Sequence, residues 1–242
     1  MPDLAWWQWT LAALCAFNVG VAKTGVPGLG ILVVPTMVLV VGDARQSAGW
    51  LLPILCIADV FAVFYYRRHA AAGRLFSLTP WVVAGMAAGA AALSMQERTL
   101  RPIIGAIVLL MLIAYLWRKH YPNKFQLAGH SAPYGLAAGF STTVANAAGP
   151  VMNLYLLSKK LSKEEFIATG AWFFFLINLS KIPIYWWHGL FTARSLTANA
   201  ILAPAVIAGA LSGRWLFNRM SPTVFEAAVV VLTALSAAIL FR

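Results

Sequence analysis

The sequence predicts an all-α polytopic membrane protein of two inverted repeats, each a broken or re-entrant helical hairpin followed by three transmembrane helices. Composition, the lengths of the apolar windows and an internal self-match predict it. Of 242 residues, 61% are hydrophobic and 10% are charged, and the mean hydropathy is +0.78. A soluble domain carries about 25% charged residues. The net charge of +11 lies in the gaps between apolar runs. That placement fits membrane topology and anionic headgroups, so a bilayer is expected as partner and nucleic acid is not. The N-terminus has no basic n-region, and Asp3 precedes Trp6 and Trp7, so no cleavable signal peptide is expected.

The apolar windows fall at 5–41, 48–66, 79–95, 102–118, 131–157, 166–187, 196–217 and 223–241. One membrane span needs about 20 residues. Six windows fit one span each. The first would make a helix about 55 Å long, against a hydrocarbon core of about 30 Å. It is also broken: Lys23, Thr24, Gly25, Pro27, Gly28 and Gly30 interrupt it between Asn18 and Pro35. Glycine loosens a helix, and proline removes a donor and clashes with the preceding turn. Two arms of a hairpin meeting near the midplane are the expected form. In lipid, the freed backbone groups need protein or a polar cavity to satisfy them, which makes such a break a substrate-site candidate.

The window 131–157 fits either one long span or a shorter hairpin. Charge favours the hairpin. Arg67, Arg68 and Arg74 form one basic cluster, Arg118, Lys119 and Lys124 a second, and Lys159, Lys160 and Lys163 a third. All three fall on the cytoplasmic side only if 131–157 enters and leaves on the same side. Two hairpins and six spans then place both termini outside.

An offset of 119 residues sets Gly20 on Gly139, Thr24 on Thr143, Gly30 on Gly149, Asp59 on Asn178, Tyr66 on Tyr185 and His69 on His188. After a five-residue insertion, Gly85 and Gly89 match Gly209 and Gly213. The repeats are therefore 1–124 and 125–242. Three spans per repeat is an odd number, so the second copy is inverted. Such repeats with broken helices place substrate near the midplane between halves.

With GVAKTGVPGLGILVVP and GFSTTVANAAGPVMNLYLL opening the two halves, and FYYRRH and YWWHG ending the helices that follow, the chain resembles the sulfite exporter TauE/SafE family of membrane transporters. The resemblance runs over essentially the whole chain. It implies movement of a small sulfur-containing anion, such as sulfite, thiosulfate or an organosulfonate, across the cytoplasmic membrane. The family's first segment is usually richer in consecutive glycines, and its second often has a glycine run where this chain has Ala-Asn-Ala-Ala-Gly-Pro.

Lys23 is the leading substrate ligand. A lysine at mid-membrane depth costs about 2.5–3.5 kcal/mol on insertion scales. A bound anion offsets that cost, helped by backbone N–H groups at a half-helix N-terminus near Gly28 and Gly30. The alternatives are a fixed ion pair with Asp59 or snorkelling to the interface. Thr24, Gly25, Gly28 and Gly30 belong to the same candidate site. Lys181, in Asn178-Leu-Ser-Lys-Ile-Pro183, with Thr142, Thr143, Asn146, Gly149 and Ser180, supplies a second set of donors. Each hydroxyl has an equal claim to its own helix carbonyl. Asp59 and Asn178 are the candidates for proton or ion coupling, and Asp59 alternatively orients Lys23. Asn178 cannot titrate, so any proton step is asymmetric.

The remaining features have ordinary readings. Cys15 and Cys56 read as small core residues without metal spacing. His69 and His188 read as interfacial, the Trp172–Phe175 run as lipid-facing or core packing in preference to a cation–π cage, and the tryptophans near span ends as an aromatic belt. The glycine pairs 85/89 and 209/213 read as close helix packing. No P-loop, dithiol or nucleophile–base pair is evident, so no enzyme and no cofactor is expected. A secondary transporter for a small anion is the leading reading. A channel or an assembly partner for another membrane protein is the alternative, and the sequence leaves homo-oligomerisation open.

Overall fold

The computed structural model describes residues 4–92, 97–120, 130–145, 148–187 and 189–240. Among them the regular structure is helical throughout. The helices are α1 (Trp6–Thr24), α2 (Val33–Val41), α3 (Ala44–Tyr66), α4 (Ala72–Ala92), α5 (Glu97–His120), α6 (Ser131–Ala145), α7 (Ala148–Ser158), α8 (Lys163–Trp187), α9 (Ala193–Arg219) and α10 (Pro222–Leu240). Short 3-10 turns, Leu29–Leu32 and Arg67–His69, lie before α2 and after α3. Four stretches, Gln46–His69, Ala72–Ala92, Lys163–Trp187 and Ala193–Arg219, are long and apolar enough to cross a membrane, and Gly105–Trp117 and Pro222–Leu235 are shorter apolar helices. The chain is an all-α polytopic membrane protein. Its most exposed tryptophans are Trp6, Trp186 and Trp187.

The helices outrun the apolar windows. α4 begins at Ala72 rather than near 79, because its first turns carry Gly73, Arg74 and Ser77, which a hydropathy window ignores. Residues 93–95 of that window, and Asn146 and His188, lie outside the described residues.

The chain forms two compact units, Met1–Ala70 with Ala171–Ser221, and Ala71–Gly170 with Pro222–Arg242. Each draws helices from both halves of the sequence.

In the first unit, α1 and α2 form an antiparallel hairpin. Gln8 Nε2 donates to the Val40 carbonyl at 2.8 Å, Cys15 Sγ to Val33 at 3.4 Å, and Asn18 Nδ2 to Leu29 at 3.1 Å. As one partner's number rises, the other's falls. The arms are unequal. α1 has 19 residues and α2 nine, about 28 and 14 Å. The run before the break holds no glycine or proline except Gly20, whereas Gly42, at φ 82°, stops α2 early. At the break Gly28 adopts φ 107°, a conformation that glycine takes without a Cβ penalty.

Two of the carbonyls at the break are satisfied by side chains. Tyr66 Oη donates to the Thr24 carbonyl at 2.8 Å, and Asn18 holds Leu29. The core beneath them joins Ala16 and Val19 of α1, Met37 of α2, Ile54 and Ala58 of α3, and Leu202 and Val206 of α9.

In the second unit, 131–157 is a hairpin and not a single span. The Tyr155 hydroxyl returns to within 3.3 Å of the Ser131 hydroxyl, and the Tyr134 and Tyr155 rings lie 5.5 Å apart. The arms hold 15 and 11 residues, both too short to cross about 30 Å of hydrocarbon.

Glycine packing follows one plan in both units. A Cβ added to Gly20 of α1 would overlap the Val206 and Ala210 backbone of α9; one added to Gly139 of α6 would overlap the Val82 and Met86 backbone of α4. Gly209 meets Phe17 as Gly85 meets Leu136, and Gly213 meets Val21 and Thr24 as Gly89 meets Phe140 and Thr143. Every one of these pairs is related by the two sequence offsets, 119 for the hairpin helix and 124 for its partner. Small residues let helix backbones approach closely where lipid supplies no hydrophobic drive.

Candidate functional site

Four polar side chains meet inside the first unit. Lys23, in the last turn of α1, places Nζ 2.7 Å from Asp59 Oδ1 of α3. Asn178 of α8 donates from Nδ2 to Asp59 Oδ2 at 2.7 Å. Lys181 Nζ donates to Asn178 Oδ1 at 3.4 Å. The result is a relay, Lys23–Asp59–Asn178–Lys181, from three helices and both sequence halves. Asp59, Asn178 and Lys181 are buried, and the Lys23 side chain is 14% exposed.

Helical spacing builds this set. Asn178 and Lys181 are one turn apart, and Phe174 is one turn earlier, so all three share a face of α8. The Lys23 ammonium lies 4.0 Å from the centroid of the Phe174 ring, close enough for a cation–π contact. Phe174 corrects the expectation that the run 172–175 only packs or faces lipid. Its spacing from Asn178 and Lys181 was the available signal.

Asp59 and Asn178 each stand about 22 Å from the start of their helix. Gly49 of α3 packs on Leu190, just beyond the end of α8. The two helices therefore run antiparallel past each other, crossing at two residues that lie 119 positions apart in the sequence.

The glycine segment flanks this set. Gly25 caps α1 and packs on Gly213. Gly28 opens the 3-10 turn that contains Gly30. A Cβ at Gly30 would meet only Ala22, at 3.8 Å. Thr24 is fully buried, with its hydroxyl 2.7 Å from the Ala210 carbonyl and 3.0 Å from that of Gly20. It ties α1 to α9.

The other expected residues lie in the second unit. Thr142 is buried. Thr143 donates to the Gly139 carbonyl at 2.9 Å, the within-helix bond that competes with a ligand role. Gly149 is in the first turn of α7 with open space at its Cβ. Ser180, in the first unit, bonds its own helix at Ile177. Among the described residues, no three His, Cys, Asp or Glu side chains are grouped as a metal site would need.

The family model for the sulfite exporter TauE/SafE matches residues 12–240. The chain belongs to the TauE/SafE family. No curated protein and no solved structure matches it. Membership implies membrane transport of sulfur anions such as sulfite. The match spans the lysine relay of this TauE/SafE protein, the second hairpin and the first hairpin from residue 12 onward.

Proposed function

We propose that this protein is a secondary transporter, not an enzyme, that exports a small sulfur-containing anion across the cytoplasmic membrane. Sulfite, thiosulfate and organosulfonates are the candidate substrates, bound at mid-membrane depth between two inverted repeats. Family membership and the antiparallel crossing of repeat mates at Asp59 and Asn178 support this reading.

One observation carries the site. Two lysines converge on Asp59 in the interior of one unit, Lys23 in direct contact with the carboxylate and Lys181 through Asn178. Ammonium donors in a low-dielectric interior attract anions, and we assign a bound monoanion to them. The anion competes with Asp59 for Lys23, while Asn178 keeps Asp59 in place. Backbone N–H groups around Gly28 and Gly30 add donors at the start of the second arm. Thr142, Thr143, Asn146 and Gly149 are proposed as further substrate contacts within the second unit.

A proton on Asp59 cancels its charge and frees Lys23 for the anion, so anion and proton travel together. The test is flux into liposomes holding the purified protein, over sulfite, thiosulfate, sulfoacetate, sulfate and chloride, with and without a pH gradient. Saturable flux of one sulfur anion, lost in Lys23→Met, is expected. Non-saturating flux would replace the carrier with a channel, and normal transport by Lys23→Met would remove the site.

A further inference from the structure

We propose that the end of the first unit where α3 and α9 stop is a binding site for the phosphate headgroup of an anionic phospholipid. Arg67, Arg68 and His69 form the 3-10 turn that follows α3, and Arg214 and Arg219 sit in the last two turns of α9. The two ends are adjacent, with the Tyr66 and Phe217 rings 5.3 Å apart. Arg214 lies 4.2 Å over the ring of Tyr65, Arg219 3.9 Å over that of Trp215, and Arg67 5.7 Å over that of Phe64. All four arginines are exposed.

No described carboxylate serves them. The only acidic residues described in this unit are Asp43, before the opposite end of α3, and the buried Asp59. Among the described residues, none of the four arginines makes an ion pair.

A basic helix end has an ordinary cause: cations favour helix C-termini and cytoplasmic loops. That preference does not require guanidinium groups to stack on rings of two neighbouring helices. A guanidinium held over a ring still has N–H donors to offer, in a fork that matches phosphate. Two of the three rings under the arginines are exposed, Phe64 at 65% and Trp215 at 56%, and Tyr65 is half-buried. Charged forks beside exposed aromatic surface on membrane helices suit an amphiphile, with phosphate on the forks and acyl chain on the rings. A free phosphate or an acidic peptide would leave that apolar surface unused.

The test uses the full chain in detergent, exposed separately to phosphatidylglycerol, phosphatidylcholine and inorganic phosphate. Lipid retained after washing is measured by mass spectrometry, and thermal unfolding is followed in parallel. Phosphatidylglycerol is expected to be retained over phosphatidylcholine by about tenfold or more, falling with salt. Arg214→Gln/Arg219→Gln is expected to lose that preference, while Arg194→Gln, at the other end of α9, keeps it. Should the glutamine variant fail to fold, Arg214→Lys/Arg219→Lys retains the charge without the fork, and its preference is expected to fall. Equal retention of the two lipids, or a full preference in the folded double variants, would overturn the proposal. So would equal stabilisation by inorganic phosphate.

Discussion

Asp59 and Asn178 are 119 residues apart and joined by a 2.7 Å hydrogen bond. They are the positions at which α3 and α8 match in the sequence repeat, and they touch where those helices cross. Both atoms of the contact are buried, with Lys23 on one side and Lys181 on the other. The two residues set on each other by the 119-residue offset are chemically unequal: one carries a charge and the other carries an amide.

The charge balance predicts how the relay fails. Asp59→Asn leaves Lys23 without its carboxylate, and removing one partner of a buried pair costs about 3–5 kcal/mol, reduced here because Lys23 is partly exposed. Expression and thermal unfolding in detergent should both fall. Lys23→Met/Asp59→Asn removes both charges and should recover much of that stability without recovering anion flux. Transport by the double variant at the wild-type rate would mean that the pair serves the fold alone.

Phe174 lies beneath Lys23, and a cation–π contact is worth about 0.5–2 kcal/mol. Phe174→Leu should raise the KM for the transported anion several-fold, while Phe174→Tyr should stay near wild type. Identical KM values for both variants would show that the ring only fills space.

The glycine contacts predict paired sensitivity. Gly85→Ala and Gly209→Ala drive a methyl group into a neighbouring backbone, and overpacking costs about 1–3 kcal/mol or more. Both variants should unfold at lower temperature. Gly73→Ala, with nothing within 4 Å of its Cβ, should not. A drop for one member of the pair only would break the equivalence of the two units at this contact.

Lys160 has φ 53°, a left-handed conformation costing a non-glycine residue about 1–2 kcal/mol. Lys160→Gly relieves that strain and loosens the unfolded chain, for a net gain of about 0.5–1 kcal/mol. Thermal unfolding should shift upward while anion flux stays unchanged.

The fold class was legible because composition and hydropathy respond directly to the bilayer. Lys23 and Asp59 were legible as a set because intramembrane charges are costly and need partners. The fold of 131–157 followed from three lysines that a single span would have stranded outside. The unequal arms of the first hairpin were not legible, since hydropathy registers Gly25 and Gly28 as a break without fixing the length of either arm. Phe174 was missed because an aromatic run reads as packing until its helical phase is compared with Asn178 and Lys181. The lock between Thr24 and Ala210 depends on a contact 186 residues away, which no local pattern encodes.

The central claim is that the lysine relay binds the transported anion. Calorimetric titration of sulfite into purified wild-type protein and into folded Lys23→Met/Asp59→Asn tests it most directly. Saturable binding is expected for the wild type, with at least about a tenfold loss in the variant, the equivalent of about 1.4 kcal/mol. Wild-type affinity in the folded variant would contradict it.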